Sequence, residues 1–265
     1  MRNPLGRNPL RRNPFGQWHE DPLWAPVYDW TVEHPGPGGA LWRLGMGSDL
    51  RLLYAAAGEI GRLPAGSTVL DVPCGGGVAL RGLRPGQGVR YLAVDIAPAM
   101  LERTRAAAVR RGVSAQVETL VADVGDLPLA DGEVDLAVSF TGLHCFPDPR
   151  QAVTELARVL APGGVLTGSA LLEDTGLRYE PVRRMGRLAN LLGPGCTSGQ
   201  VRAWLAAEGL AEVTLELSGA IGYFRAVRRA GRAAHQPEPE PKLKVVPYVP
   251  VGLLTSSTTE TQGTT

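Results

Sequence analysis

Between residues 68 and 171 the sequence alternates short apolar runs with segments of helical periodicity, and this alternation restricts the possible folds most strongly. Helices are predicted at residues 98–111 and 150–160. Strands are predicted at residues 68–72, 89–95, 116–121, 134–140 and 164–171. Strands that are apolar on both faces and are separated by amphipathic helices form a parallel sheet with helices on each side. The chain is therefore predicted to be an α/β protein with a doubly wound sheet.

The last part of this region has a different pattern. A helix is predicted at residues 198–208, and strands follow at 211–217 and 221–227. Only residues 218–220 join the two strands, which is too short for a parallel crossover and is typical of an antiparallel hairpin. The sheet is therefore expected to end with one reversed strand.

The two ends of the chain differ from the central region. Residues 1–16 repeat Arg-Asn-Pro three times, and Asn-Pro pairs favour turns and extended backbone. Four of the five Trp residues lie between positions 18 and 42, so this stretch should pack onto something. We predict an irregular arm with an aromatic lid segment at 1–40, a folded domain at 41–234 and a disordered tail at 235–265.

Charge and cysteine content exclude several classes of protein. The chain has 27 basic and 26 acidic residues, so no strong overall field would attract a nucleic acid. Cys74, Cys145 and Cys196 are far apart, which argues against disulfides and against a metal site. No apolar run reaches 18 residues. We expect a cytoplasmic protein with no integral membrane segment, no metal and no nucleic-acid partner.

A glycine-rich turn follows the first predicted strand, in the sequence T-V-L-D-V-P-C-G-G-G-V-A-L of residues 68–80. Glycine allows a ligand to approach the main chain closely, and a helix expected to begin near Gly77 would offer N–H groups to an anionic ligand. Asp71 lies inside the strand end, where an acid is costly unless it has a partner. The turn is therefore a candidate cofactor site.

Asp95 ends the second predicted strand, 24 residues after Asp71. An acid at this position can accept hydrogen bonds from both hydroxyls of a ribose. Nicotinamide dinucleotides and S-adenosylmethionine both fit this arrangement. The dinucleotide fingerprint requires a third glycine, and Leu80 occupies that position, which favours a ligand without a pyrophosphate.

Two further segments complete a recognisable set of motifs: V-A-D-V-G-D-L-P at residues 121–128 and E-L-A-R-V-L-A-P-G-G-V-L at 155–166. With these, the chain resembles the class I S-adenosylmethionine-dependent methyltransferases of the type 11 group, which includes ubiquinone and menaquinone C-methyltransferases. The resemblance implies a Rossmann-like sheet of seven strands in the order 3-2-1-4-5-7-6, with strand 7 antiparallel. It also implies S-adenosylmethionine as the cofactor and S-adenosylhomocysteine as its product.

The resemblance further implies which residues bind the cofactor. The glycine-rich turn would hold its methionine end, Asp95 the ribose and Asp123 the adenine amino group, while the end of the fourth strand would lie beside the sulfonium. In chain order the implied residues are Asp71, Gly75, Gly76, Gly77, Asp95, Ile96, Asp123, Val124, Phe140 and Thr141. Asp123 has an alternative interpretation, in which it only begins a turn with Gly125.

The methyl acceptor is expected to lie between the aromatic segment and an insertion at residues 173–196. Tyr28 and Trp30 are candidate acceptor contacts in the segment, and Met185 is one in the insertion. A helix there should place its apolar residues on one face and its arginines on another. The apolar set is Val182, Met185, Leu188, Ala189 and Leu192, and the arginines are Arg183, Arg184 and Arg187.

His144 follows the fourth strand and is the single candidate for a general base or an acceptor-positioning residue, although it could instead make a structural hydrogen bond. The leading hypothesis is in-line methyl transfer to a small, apolar or aromatic molecule. A nicotinamide-dependent oxidoreductase and a non-catalytic, cofactor-binding partner subunit are the alternatives.

Overall fold

The structure is a computed structural model that describes residues 30–229. The predictions for the repeat-containing arm, for Tyr28 and for the tail concern residues outside this range. Within it, no helix is long and apolar enough to cross a membrane.

A seven-stranded sheet forms the centre of the molecule. Its strands are β1 (Thr68–Asp71), β2 (Arg90–Asp95), β3 (Val117–Val121), β4 (Val134–Phe140), β5 (Leu160–Leu171), β6 (Leu210–Ser218) and β7 (Ile221–Arg228). The spatial order is β3-β2-β1-β4-β5-β7-β6. β1 to β5 are parallel, and β7 is antiparallel to both β5 and β6. The predicted fold class, strand order and reversed strand are confirmed.

Helices of the described residues pack around the sheet, and they include α1 (Pro37–Met46), α2 (Leu50–Ala57), α3 (Pro98–Arg110), α4 (Pro149–Val159), α5 (Glu180–Leu188) and α6 (Ser198–Ala207). Local sequence explains where several of them begin. Proline occupies the first helical position of α3 and α4, where its missing N–H costs nothing. The Asp148 carboxylate accepts a 2.9 Å hydrogen bond from the Gln151 N–H at the start of α4. Thr197 and Gln200 form a capping box before α6.

Two apolar layers pack against the faces of the sheet. Val69 and Leu136 are neighbours in β1 and β4 and face one layer, while Leu70 and Ala137 face the other. All four are almost completely buried. This alternation follows from the two-residue period of a strand, and it explains why the central strands are mostly apolar on both faces.

The start of β5 differs from the prediction. The strand begins at Leu160 instead of residue 164, because Val134 already pairs with Leu160 and Leu136 then pairs with Val165. The Pro-Gly-Gly segment between these pairs forms a bulge, in which Gly163 has a φ of 82°. The turn predicted here is therefore an irregularity inside a longer strand.

The helix expected near Gly77 is also shorter than predicted. Residues Val78–Gly82 form a five-residue 3₁₀ segment. Gly82 approaches the Ala57 carbonyl so closely that any side chain there would overlap it, and Pro85 follows, which disfavours helical backbone in the preceding residue. The turn after β1 therefore lacks the regular helix N-terminus that would bind an anion.

Candidate functional site

A cavity of about 500 Å³ opens at the carboxyl ends of the parallel strands. In doubly wound sheets, ligands bind at this edge. One part of its lining comes from the loops after β1 to β4, and we call it the acidic wall: Gly75, Gly76, Asp95, Ile96, Asp123, Val124, Phe140 and Thr141. The other part comes mainly from α1 and α5 and the residues after α5, and we call it the apolar wall: Leu41, Trp42, Gly45, Met46, Val182, Met185, Gly186, Ala189 and Leu192.

The Asp95 carboxylate organises the acidic wall. Its Oδ2 accepts a 3.0 Å hydrogen bond from the Gly75 N–H, and its Oδ1 accepts one of 3.0 Å from the Ala97 N–H. The Thr104 hydroxyl donates to the Gly75 carbonyl oxygen at 2.7 Å. Gly75 has a φ of 49°, and a Cβ there would meet no atom within 4 Å. The turn is thus fixed by hydrogen bonds, and its main chain is open to a ligand.

Asp71 and Gly77 support this turn from behind and lie outside the cavity lining. Asp71 is buried and accepts a 2.7 Å hydrogen bond from the Tyr91 hydroxyl. Burial raises the pKa of Asp71 to about 8, and the charge of Asp95 adds to the increase. Gly77 has a φ of 83°, and a side chain there would press on Thr104 of α3. Both residues therefore shape the turn without touching the cavity.

The position of Asp123 is compatible with both of its interpretations, the turn and the cofactor contact. Its Oδ1 accepts a 2.8 Å hydrogen bond from the Gly125 N–H, which is a turn of the kind that Asp commonly forms. The residue also lines the cavity beside Ala122 and Val124. The turn fixes the carboxylate at the cavity wall, so the structural role and a binding role are compatible.

Thr141 has a backbone conformation that a β-branched residue seldom adopts, with a φ of 52°. Its N–H donates to the Ser169 hydroxyl at 3.1 Å, and its own hydroxyl donates to the Phe140 carbonyl oxygen at 2.7 Å. Residues held in sparsely populated backbone regions cluster at functional sites. Thr141 lies at the end of β4, on the cavity wall, where the sequence placed a cofactor contact.

His144 lies on the lining with a fixed tautomer. Its Nδ1 accepts a 3.0 Å hydrogen bond from the Leu171 N–H, so this nitrogen carries no proton. Burial lowers the pKa of His144 to about 4, and the ring is neutral at pH 7. The proton of the neutral ring is therefore on Nε2, which can donate a hydrogen bond. The Gly193 N–H also donates to the His144 carbonyl oxygen at 2.8 Å and links this loop to the residues after α5.

The aromatic segment that ends at Trp42 was expected to face the acceptor, but the sequence analysis did not single out Leu41, Gly45 and Met46 of α1. Leu41, Trp42, Gly45 and Met46 recur at helical spacing and share one helix face, and this periodicity was the available signal. Trp30, a predicted acceptor contact, is instead half-exposed and stacks on His34 with ring centroids 4.8 Å apart. Trp42 lies on the cavity wall, whereas Trp30 does not.

The predicted faces of α5 are partly wrong. Met185 lines the cavity as expected, but Leu188 points into solvent. Arg183 was expected on an outer face and is buried, with 2% of its surface exposed. Its guanidinium donates to the carbonyl oxygens of Leu172 at 3.1 Å and Gly176 at 2.9 Å. The helical pattern assigned Arg183 to the wrong environment because its buried guanidinium provides hydrogen-bond donors for the backbone carbonyl groups of the preceding loop.

The charge of the cavity limits what it can bind. Among residues 30–229, its lining contains the carboxylates Asp95 and Asp123 and neither Arg nor Lys. Such a lining fits a ligand that carries positive charge, such as a sulfonium or an ammonium group, better than an anion. No cluster of metal ligands occurs in the described part of the chain.

Comparison with known proteins identifies the family. Residues 70–167 match the profile of a methyltransferase domain of type 11. A malonyl-[acyl-carrier protein] O-methyltransferase from Pseudescherichia vulneris is 30% identical over 184 residues, which cover 68% of this chain and 69% of the relative. The chain belongs to the class I S-adenosylmethionine-dependent methyltransferases of type 11. The predicted family and its cofactor, S-adenosylmethionine, are therefore confirmed. The alternative of a nicotinamide-dependent oxidoreductase does not apply.

Other methyltransferases and solved structures agree with this assignment. A demethylmenaquinone methyltransferase from Thermus thermophilus is 37% identical over 46% of this chain and 55% of its own length. A solved structure described as a possible exported protein from Bordetella parapertussis has a TM-score of 0.62 at 20% identity, with 79% of this chain and 80% of that chain covered, and it shows the same fold. The chain spans only 26% to 39% of the length of the first curated relatives it matches.

Proposed function

We propose that this chain methylates a neutral, apolar or aromatic small molecule, which binds against the apolar wall. The observation that carries this proposal is the composition of one cavity, in which carboxylates at the strand ends share a space with the apolar faces of two helices. The first part suits the cofactor of the family. The second suits an acceptor that gains free energy from leaving water.

The acidic wall is assigned to the cofactor. Asp95 would accept from the ribose hydroxyls and Asp123 from the adenine amino group, and the open main chain of Gly75 would face the methionine end. Phe140 and Thr141 would lie beside the sulfonium. When bound, S-adenosylmethionine would supply an electrophilic methyl group: an electron pair of the acceptor would bond to its carbon, the carbon–sulfur bonding electrons would stay with the sulfur, and the proton displaced from the acceptor would pass to solvent.

The protein's own contribution is positioning. Positive charge disperses during such a transfer, so the main requirements are alignment of the two reactants and exclusion of water. We assign His144 to the alignment of an acceptor oxygen through its Nε2–H. It is a poor general base, because its Nδ1 lone pair is occupied by the Leu171 N–H and its pKa lies near 4.

The charge of the lining favours a neutral acceptor over an anionic one. Two relatives carry substrate names of opposite character, malonyl-[acyl-carrier protein] and demethylmenaquinone. A malonyl carboxylate at the apolar wall would have no Arg or Lys from the described lining to balance its charge. A neutral quinol requires only apolar contacts and a hydrogen-bond donor such as His144. We therefore place the acceptor in the quinol-like class.

The test compares two acceptors in one assay. The full chain is incubated with S-adenosylmethionine carrying a tritiated methyl group and either a prenylated naphthoquinol or a malonyl thioester. We expect tritium in the quinol, and a rate about tenfold lower for His144→Asn, which retains an acceptor for the Leu171 N–H but has no group in place of Nε2. Preferential labelling of the malonyl thioester would contradict the proposal. Asp126→Ala, at an exposed acid near the cavity, is the control.

A further inference from the structure

Two half-exposed residues mark the opening of the cavity. Leu41 of α1 and Met185 of α5 both line the cavity, and yet 49% and 53% of their surfaces are exposed. A residue can meet both conditions only where the cavity opens to solvent. The two helices therefore flank the opening.

Each helix carries a second apolar residue three positions further along. Leu44 follows Leu41, and Leu188 follows Met185, so each pair lies on one helix face. Leu44 and Leu188 are each 86% exposed, and Leu177, just before α5, is exposed as well. Single exposed leucines are ordinary, but five apolar side chains on the elements around one opening form a set. We call these five residues the rim.

The two halves of the rim belong to neighbouring elements. Gly47 ends α1 and lies so close to Tyr179, just before α5, that a side chain at Gly47 would overlap the tyrosine hydroxyl. The C-terminal end of α1 is thus packed beside the N-terminal end of α5. A single partner surface can therefore reach the end of α1 and the start of α5.

Cations and acids are mixed around the rim. Arg43, the only charged residue of α1, lies 3.5 Å from the Asp49 carboxylate. Arg187 pairs with Glu173 and Glu180. Arg178 and Arg184 are exposed and have no acidic partner among the described residues. Exposed apolar side chains beside such cations are typical of protein surfaces that bind the interface of an anionic membrane.

We propose that the rim docks on the surface of an anionic lipid bilayer, with the opening of the cavity toward the lipid. Leu44, Leu177 and Leu188 would enter the interfacial region, and the arginines beside them would pair with lipid phosphates. An apolar acceptor dissolved in the membrane would then reach the apolar wall without crossing water. This inference rests on the proposed function, since it supplies the route for that acceptor.

The test is co-sedimentation of the full chain with vesicles, either of phosphatidylcholine alone or with added phosphatidylglycerol. The rim variant is Leu44→Ser with Leu188→Ser, and the matched control is Val109→Ser with Leu217→Ser, at two residues of similar chemistry exposed on α3 and β6. We expect the wild type and the control to bind the anionic vesicles. The rim variant should bind at least tenfold more weakly, and the neutral vesicles should bind every form less.

Other results would overturn the inference. They are equal binding of the wild type and the rim variant, absence of binding to anionic vesicles, or a dimer in solution that the rim substitutions dissociate. Each form is also titrated with S-adenosylhomocysteine. If the wild type fails to bind it, the proposed function fails. Suppose instead that the wild type binds S-adenosylhomocysteine. If it then does not bind anionic vesicles, or if the rim substitutions leave its vesicle binding unchanged, only the docking inference fails.

Discussion

The two walls of the cavity are built by different kinds of interaction. The acidic wall is held by hydrogen bonds that backbone N–H groups donate to the Asp95 and Asp123 carboxylates at the ends of a buried sheet. The apolar wall consists of faces of α1 and α5, and α5 is attached to the loop after β5 through the buried Arg183 guanidinium. Hydrogen bonds between strand ends fix positions closely, whereas packed helices tolerate substitution of their side chains. We therefore propose that the acidic wall determines cofactor binding and the apolar wall the choice of acceptor.

The largest effect is expected from removing the centre of the acidic wall. Asp95→Ala eliminates the acceptor for the Gly75 and Ala97 N–H groups as well as the proposed ribose contact. The affinity for S-adenosylhomocysteine, measured by calorimetric titration, should fall at least 100-fold, or about 3 kcal/mol. Asp95→Asn, which keeps one acceptor oxygen, should lose less. An affinity unchanged by Asp95→Ala would remove the acidic wall from the cofactor site.

The pH dependence of stability tests His144, which joins the two walls. Its pKa is about 4 in the folded chain and 6.5 in a model peptide, so the unfolded state binds more protons between these values. The contribution of His144 to the free energy of unfolding should therefore fall by about 3 kcal/mol as the pH drops from 6.5 to 4. Asp71, with its raised pKa, contributes in the opposite direction over this range, so only the difference between wild type and a His144 variant isolates the histidine. Denaturant unfolding of wild type and His144→Asn checks the difference. Parallel pH profiles would show that the ring is not buried in its neutral form.

Filling the apolar wall should separate acceptor binding from cofactor binding. Gly45 lines the cavity, and a Cβ there would meet no atom within 4 Å. Gly45→Leu should weaken the binding of phenylnaphthylamine, a neutral fluorescent dye, at least tenfold, with S-adenosylhomocysteine affinity unchanged. Gly39→Leu is the matched control, because Gly39 lies in the same helix with equal room and outside the lining. Equal losses of both ligands would show that the walls are not independent.

The smallest effect is expected from loosening the attachment of α5. Arg183→Met leaves the Leu172 and Gly176 carbonyl oxygens without their donor. Dye affinity should fall about fivefold, and S-adenosylhomocysteine affinity should not change. Arg184→Met, at the exposed neighbour, should leave both affinities as they are. If Arg183→Met weakened the cofactor analogue more than the dye, Arg183 would belong to the general fold and not to the apolar wall.

The same contrast explains what the sequence could predict. Glycines with positive φ and acids at strand ends have local causes, so the turn after β1 and Asp95 were within reach of sequence reasoning. The order of the strands came from the resemblance to the type 11 methyltransferases. The burial of Arg183, the exposure of Leu188 and the place of Trp42 depend on how α1 and α5 pack against distant parts of the chain. Periodicity identifies the faces of such helices, but it does not determine which face meets the cavity.

The most direct test of the central claim is a crystal structure of the full chain with S-adenosylhomocysteine. We expect electron density for the adenosine beside Asp95, Ile96 and Asp123, with the sulfur next to Thr141 and facing the space enclosed by α1, α5 and His144. Density for the adenosine against the apolar wall, or outside the cavity, would contradict the assignment of the two walls.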